Sequence, residues 1–324
     1  MICKVILFLL LVIISCNQKR QNRPETTGTD TLVLEARLEF SAKALLGEGA
    51  IWDYEPQLLW WVDIENHTCN LYDPVVKENE AMDMGQRIGT VVPARNRGKA
   101  VVALQDGIYE LDLESMLFDL VCSPESSLKD MRFNDGKCDP TGRLWVGSMS
   151  MNFIGGAASL YRVSEDGDFK KMIDSVTVSN GIVWTSDHKT MYYNDTPTGC
   201  VKAYDFDLSS GEISNERIAV IIPSSMGAPD GMTIDSADKL WVAHWGGGMV
   251  GRWDPLTGKL LAKVVVPAPN VTSCAFGGPE LDVLYITTAR EGMSEDDILK
   301  YPEAGSIFKV APGVNGVTAD FWGK

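Results

Sequence analysis

Four oxygen-bearing side chains recur along this chain at one phase of a repeat. Glu48 in GEGAIWD, Asn134 in RFNDGKCDPTGRLWV, Asn180 in SNGIVWTSDHKTMYY and Asp230 in PDGMTIDSADKLWV each stand ten or eleven residues before a strand core. Those cores are Leu59-Trp60, Leu144-Trp145, Met191-Tyr192 and Leu240-Trp241. Equivalent positions in a repeat that closes on itself share one radius and one height, so oxygens from distant segments would converge on a central point. Carboxylate and amide oxygens gathered in that way suit a hard divalent cation. Each residue alone has a plainer reading. Asn180 and Asp230 precede Gly, and Asn-Gly and Asp-Gly are common turn pairs. Glu48 resists that reading, because Glu is a poor turn residue and Gly47 and Gly49 permit close backbone approach.

The elements that must position these residues are short and β-rich. LLWWVDIE, KAVVALQDGIYELD, GRLWVGSM, KTMYYND, KLWVAHW and VLYITTAR start at Leu59, Val101, Leu144, Met191, Leu240 and Leu284, about 42 to 49 residues apart. That is the period of propeller blades. Most cores follow a turn, as at Asp139-Pro-Thr-Gly142, Ser186-Asp-His188 and Asp235-Ser-Ala-Asp238, and most precede a second strand ending in an acidic turn, as in NLYDP and VGRWDP. No helical periodicity of useful length competes, and a sandwich would not repeat one composition at this spacing. The fold expected is an all-β, six-bladed β-propeller. Leu32–Phe40 (LVLEARLEF) is expected to pair with the last unit, GSIFKV, joining the two ends of the ring and removing an open sheet edge.

Before the propeller lie two segments of other character. Residues 1–15 (MICKVILFLLLVIIS) have one early Lys and an apolar run too short for a comfortable span, the layout of a secretory signal. Ile13-Ile14-Ser15-Cys16 is similar to a bacterial lipobox, which implies lipidation of Cys16 and a periplasmic, membrane-anchored protein of a bacterial cell envelope. A plain signal peptide or a short membrane anchor are the other readings. Residues 16–31 contain nothing able to join a core and read as a flexible tether, leaving 32–324 for the propeller. The net charge of −15 and the lack of a Lys/Arg cluster argue against nucleic acid as a partner. Nothing in the chain marks an obligate protein partner. Cys69, Cys122, Cys138, Cys200 and Cys274 are odd in number and unpaired in spacing, so they read as buried small hydrophobes rather than a disulfide framework or zinc site.

In order along residues 46–290, LGEGAIWD, MRFNDGKCDPTGRLWVGSM, SNGIVWTSDHKTMYY, PDGMTIDSADKLWVAHW, RWDPLTGK and VTSCAFGGPELDVLYITTAR resemble the gluconolactonase, regucalcin and luciferin-regenerating-enzyme family, also called the senescence-marker-protein family. The resemblance implies a six-bladed propeller with one divalent cation on its axis, hydrolysing sugar-acid lactones or related cyclic esters. It places the metal ligands at Glu48, Asn180 and Asp230, the substrate contacts at Arg132 and Asn134, and a further substrate position at Asn152. Some animal members carry Glu at that last position, so the hydroxyl pattern of the substrate is expected to differ. It also suggests Asp230 as the acceptor of the water proton.

Oxygen-only ligation favours Ca²⁺, Mg²⁺ or Mn²⁺, with Zn²⁺ also open. Such an ion would polarise a lactone carbonyl, and water rather than a side chain would attack, since no GxSxG elbow is present. Asp135 has two readings, a second carboxylate or, preferred because Gly136 follows it, a turn residue. Arg132 taken alone reads as a solvated or salt-bridged side chain. His67 and His188 read as solvent-facing, whereas His244 either reaches the mouth or packs beside Trp245. Gly246–Gly248 lacks a following helix and is no phosphate loop. The tryptophans, Trp52, Trp60, Trp61, Trp145, Trp184 and Trp241, are expected to pack between blades. The rival functions are a propeller that binds a metal or small ligand without turnover, and a hydrolase or isomerase acting on a non-sugar lactone, organophosphate or phenolic ester, which an apolar mouth around Phe153 and Trp245 would favour.

Overall fold

The computed structural model describes residues 31–128 and 130–323; the leader, Cys16 and the tether as far as residue 30 lie outside the described residues. Among the described residues, twenty-five strands and one short α-helix, Glu295–Lys300, build six sheets that are the blades of a propeller. The innermost strands are Gly47–Asp53, Ile88–Pro93, Met131–Cys138, Ser179–Trp184, Ala228–Ile234 and Asn270–Gly277. Each packs on the next, and the sixth packs on the first, so the ring is closed. These strands are buried almost without interruption, as strands covered on both faces must be, whereas outer strands such as Glu78–Asp83 and Glu212–Ile221 are largely exposed.

All six innermost strands carry a register shift against their hairpin partners. The shifts lie between Glu48 and Ile51, Ile88 and Thr90, Phe133 and Gly136, Ser179 and Ile182, Pro229 and Met232, and Val271 and Ser273. A bulge of this kind kinks a strand and re-aims side chains. The phased residues sit at or inside these bulges, so the Asn-Gly and Asp-Gly pairs at 180–181 and 230–231 are interruptions within strands and not turns between them.

Glycine follows because neighbouring strands nearly touch at the bulges. A Cβ on Gly181 would stand 2.7 Å from the Asp230 carbonyl oxygen, and one on Gly231 would stand 2.7 Å from Ser273 Oγ. Polar side chains then stitch blade to blade. Thr90 Oγ1 donates to Gly136 O (3.0 Å), Asn134 Nδ2 to Ser179 O (2.7 Å), Asn194 Nδ2 to Asp230 O (2.8 Å) and Thr272 Oγ1 to Gly47 O (2.5 Å).

Ring closure is divided between two blades. Arg37–Phe40 pairs antiparallel with Ile307–Val310 in the sixth blade, as expected. Leu32–Glu35 does not: it pairs in parallel with Lys259–Val265 and adds a fifth strand to the fifth blade. The chain changes partner at Ala36, whose N–H still donates to Val265 O. The segment Leu32–Phe40 therefore covers the outer edges of two neighbouring blades.

Away from the axis, the turns before the core strands have a shared anchor. Asp139 Oδ1 accepts from Thr141 N and Arg143 N, and Oδ2 accepts from Arg143 Nε (2.7 Å) and Trp145 Nε1 (3.0 Å). Asp235 repeats the arrangement with Ala237 N, Lys239 N, Arg252 Nε (2.7 Å) and Trp241 Nε1 (3.1 Å). Tryptophans so fixed pack across blade boundaries, Trp145 edge-on to Trp184 and Trp241 edge-on to Phe276, while Trp52 stacks on Tyr285. The five cysteines are buried and free. Removing the Asp235 carboxylate strands the Trp241 indole N–H and the partly buried Arg252 guanidinium. Asp235→Ala is therefore expected to lower stability by about 3 kcal/mol, read from urea unfolding; a loss under about 1 kcal/mol would contradict this role.

Candidate functional site

At one end of the axis, Glu48, Arg132, Asn134, Asn180 and Asp230 line a single cavity of about 390 Å³. They come from the innermost strands of blades one, three, four and five. Blades two and six offer no charge at the equivalent bulges. Their threonines, Thr90 and Thr272, bond to neighbouring strands instead.

The three candidate ligands are almost fully buried. Asn180 Nδ2 donates to Thr196 Oγ1 (3.1 Å), which fixes the amide and leaves Oδ1 buried with no partner. Asp230 Oδ1 is likewise buried and unpartnered, and Glu48 Oε2 accepts from Gly49 N (3.1 Å). Burial, followed by repulsion from Asp230 and Asp135, holds the Glu48 carboxyl well above the usual carboxylate range. Burial and then Asp135 do the same to Asp230. Orphaned oxygens beside repelling carboxylates are what a cation would satisfy, so this donor set fits a divalent ion. Among the described residues no three His, Cys, Asp or Glu side chains are disposed to hold a metal; the set fits only with an amide as its third member.

Asp135 is not a turn residue. It lies inside the third-blade bulge, buried, with Oδ1 accepting from Gly136 N (2.8 Å) and Oδ2 unpartnered. Its charge acts on both Glu48 and Asp230 from one side and on Lys137 from the other. The Lys137 ammonium reaches Met232 O of the fifth blade, and burial lowers its pKa from the ordinary value. A carboxylate and an ammonium thus lie near the candidate ligands.

Arg132 is buried, its Nη1 donating to Asn134 Oδ1 (2.6 Å) and Phe133 O (3.1 Å). Burial lowers its pKa, with Glu291, Glu65 and Glu48 acting in the opposite direction. Asn152 does not line the cavity, although its neighbours Met151 and Phe153 do. It is exposed in the loop after Leu144–Ser150, where its N–H bonds Ser150 Oγ and the Phe153 N–H closes onto Ser150 O. His244 is not at the mouth either. It is fully buried and stacks on Trp253 rather than Trp245, and burial pushes its pKa down to about 4. His67 and His188 are partly exposed.

Phe153 and Trp245, named from the sequence as a possible apolar mouth, line the cavity; the rest of the wall was not anticipated: Glu65, Arg87 and Glu291 on one side, Met149, Met151, Val178, Thr196 and Pro197 elsewhere. A second phase would have found many of them. Glu65, Met151, Thr196, Trp245 and Glu291 stand five to seven residues after the core starts Leu59, Leu144, Met191, Leu240 and Leu284, where the second strand of each blade ends at the cavity.

The profile described as "SMP-30/Gluconolactonase/LRE-like region" matches residues 46–290. The chain belongs to this family. Among SMP-30/gluconolactonase/LRE-like relatives, it is 40% identical over 275 residues to the Bacillus subtilis protein named "Putative sugar lactone lactonase YvrE", spanning 85% of this chain and 94% of that one. A calcium-binding protein, regucalcin, from Agrobacterium tumefaciens superposes with a TM-score of 0.86 at 26% identity, covering 90% of this chain and 99% of the other. A luciferin-regenerating enzyme superposes with a TM-score of 0.83 at 32% identity, covering 89% and 100%.

If Glu48, Asn180 and Asp230 hold a cation, Ca²⁺, Mg²⁺, Mn²⁺ or Zn²⁺ should raise the melting temperature, since binding only the native state stabilises it. Protons compete with the cation for both carboxylates, and their pKa values are raised, so the gain should shrink as pH falls below neutral, sooner than it would for ordinary carboxylates. Asp230→Ala should abolish it. A shift that persists in Asp230→Ala would place the ion elsewhere.

Proposed function

We propose that this protein is a divalent-cation-dependent lactonase that opens the ring of a sugar-acid lactone. The observation that carries the reading is the pair of orphaned oxygens, Asn180 Oδ1 and Asp230 Oδ1, in the cavity that also holds Arg132 and Asn134. Membership of a family with a relative named as a sugar lactone lactonase supports it, and the calcium-binding regucalcin of like fold supports the cation.

Glu48, Asn180 and Asp230 would hold the ion, which when bound supplies Lewis-acid polarisation of the ester carbonyl and charge for the oxyanion. Asp230 accepts a proton from the attacking water. The water oxygen bonds the carbonyl carbon, the ring C–O bond breaks, and the proton passes to the ring oxygen as the open-chain hydroxy acid forms. Arg132, held by Asn134, donates hydrogen bonds to the substrate and fixes the ester near attack geometry. Asn152 is not included, because it does not line the cavity.

One wall of the cavity favours a second reading. Met149, Met151, Phe153, Val178, Pro197 and Trp245 present apolar surface, which suits a lactone bearing an alkyl or aryl substituent. For residues 1–31 we propose a signal peptide ending at Ser15, lipid attachment at Cys16 and a periplasmic site on a bacterial envelope membrane, supported by the lipobox-like Ile13–Cys16 and the polar segment after it.

Hydrolysis of a panel of sugar and aryl-substituted lactones, with and without chelator, tests the reading. Turnover of sugar lactones is expected to disappear with chelator and to fall by about 10³-fold or more in Asp230→Ala. Chelator-insensitive turnover, or full activity of Asp230→Ala, would reject the mechanism, and preference for the aryl lactones would move the substrate class to the second reading.

A further inference from the structure

The walls of the axial cavity are sorted by chemistry. The apolar side chains come mainly from blades three, four and five, whereas Glu65, Arg87 and Glu291 come from blades one, two and six. On the charged side, Arg87 and Glu65 form a two-pronged ion pair, Nε to Oε1 and Nη2 to Oε2, each 2.8 Å. These two charges satisfy one another. Arg132 and Glu291 do not. The Arg132 guanidinium is buried, and among the described residues neither it nor the Glu291 carboxylate forms an ion pair or side-chain hydrogen bond to an opposite charge. Both face the same cavity, and each acts on the other's titration without contact.

A buried guanidinium and a solvent-exposed acid that line one cavity without pairing leave a donor and an acceptor open to the same ligand. A molecule able to accept from the first and donate to the second completes both, and adjacent hydroxyls do this while a bare ring or alkyl chain does not. The charge balance agrees. Glu65 with Arg87, and Glu291 with Arg132, sum to zero, and a dication would offset Glu48 and Asp230, so the cavity favours an uncharged ligand.

We infer that Glu291, which lines the same cavity as Arg132, is a specificity-determining residue that recognises the hydroxyl groups of a neutral polyhydroxylated lactone. This rests on the lactonase reading above and adds a residue one position beyond the family-matched segment. The main chain there is pinned without the carboxylate: Glu291 N donates to Leu45 O (2.8 Å), and Asn270 Nδ2 donates to Glu291 O (2.9 Å). Substitutions of the side chain should therefore fold.

The test compares D-glucono-1,5-lactone with δ-valerolactone, the same ring without hydroxyls, in wild type, Glu291→Gln and Glu291→Ala. In parallel, calorimetry measures binding of glucitol, an open polyol without an ester. For Glu291→Ala, kcat/KM for the hydroxylated lactone should fall about tenfold to a hundredfold, with a smaller fall for Glu291→Gln. The fall on δ-valerolactone should be at least about fivefold smaller than on the hydroxylated lactone, and glucitol binding should be lost. Equal losses on both lactones, or none on either, would overturn the inference. If wild type opens neither lactone, the lactonase reading fails separately, and glucitol decides: binding that Glu291→Ala abolishes upholds hydroxyl recognition, whereas absent or unaltered binding overturns it.

Discussion

The site depends on how closely six strands approach around one axis. At the bulges, backbone meets backbone with no room for a side chain between, as the 2.7 Å separation from a Cβ at Gly181 to the Asp230 carbonyl shows. Glycine makes this approach possible, and the preceding residue is consequently thrust toward the axis. Asn180 and Asp230 are therefore placed by the packing of their neighbours together with the bonds to Thr196 and Asn194. The stitching from Asn134 to Ser179 and from Asn194 to Asp230 locks the spacing between blades. A strand that shifted in register would carry its oxygen away from the others and break these bonds together.

Such packing brings an electrostatic cost that the chain itself only partly offsets. Glu48, Asp135 and Asp230 are buried close enough that Asp135 raises the proton affinity of both the others. Lys137 opposes this by acting on Asp135, and Arg132 acts weakly on Glu48. Neither cation reaches the orphaned oxygens of Asn180 and Asp230, among the described residues. Buried carboxylates without full compensation are expensive, and the propeller retains them where its strands converge. That combination is the mark of a site kept for a ligand rather than for stability.

The repeat made much of this legible. Blade spacing, the inward phase of Glu48, Asn134, Asn180 and Asp230, and the inter-blade tryptophans all follow from period and composition, because they are properties of the repeated unit. What failed was local. Asp135 before Gly136 looks like a turn pair, and only the bulge, a pairing property between strands, turns it into a buried charge. Leu32–Phe40 reads as one strand because its alternation continues through Ala36, yet it serves two sheets. His244 is polar by type but lies within the fifth blade with its Nδ1 on Met226 O. Glu65 and Glu291 escaped notice because the offset after the core start varies from blade to blade, which blurs the second phase, and Arg87 stands outside that phase, on the connection just before Ile88–Pro93.

This division between axis and rim explains how one scaffold can hold its chemistry fixed while its specificity varies. Axial residues sit in bulges where every neighbour is constrained, so a change there disturbs several blades. Rim residues such as Glu65, Met151 and Glu291 stand on connections that follow the second strands. Glu291 is tied to its surroundings by its main chain alone, through Leu45 and Asn270. Asn152 illustrates the freedom of the rim: within the loop after Leu144–Ser150, Met151 and Phe153 face the cavity while Asn152 is left outside it. A one-residue difference in the path of such a loop exchanges which side chain meets the ligand without moving the oxygens on the axis. On the lactonase reading proposed above, the convergence of strands would read the substrate's reacting bond, and the loops that those strands carry would read its substituents.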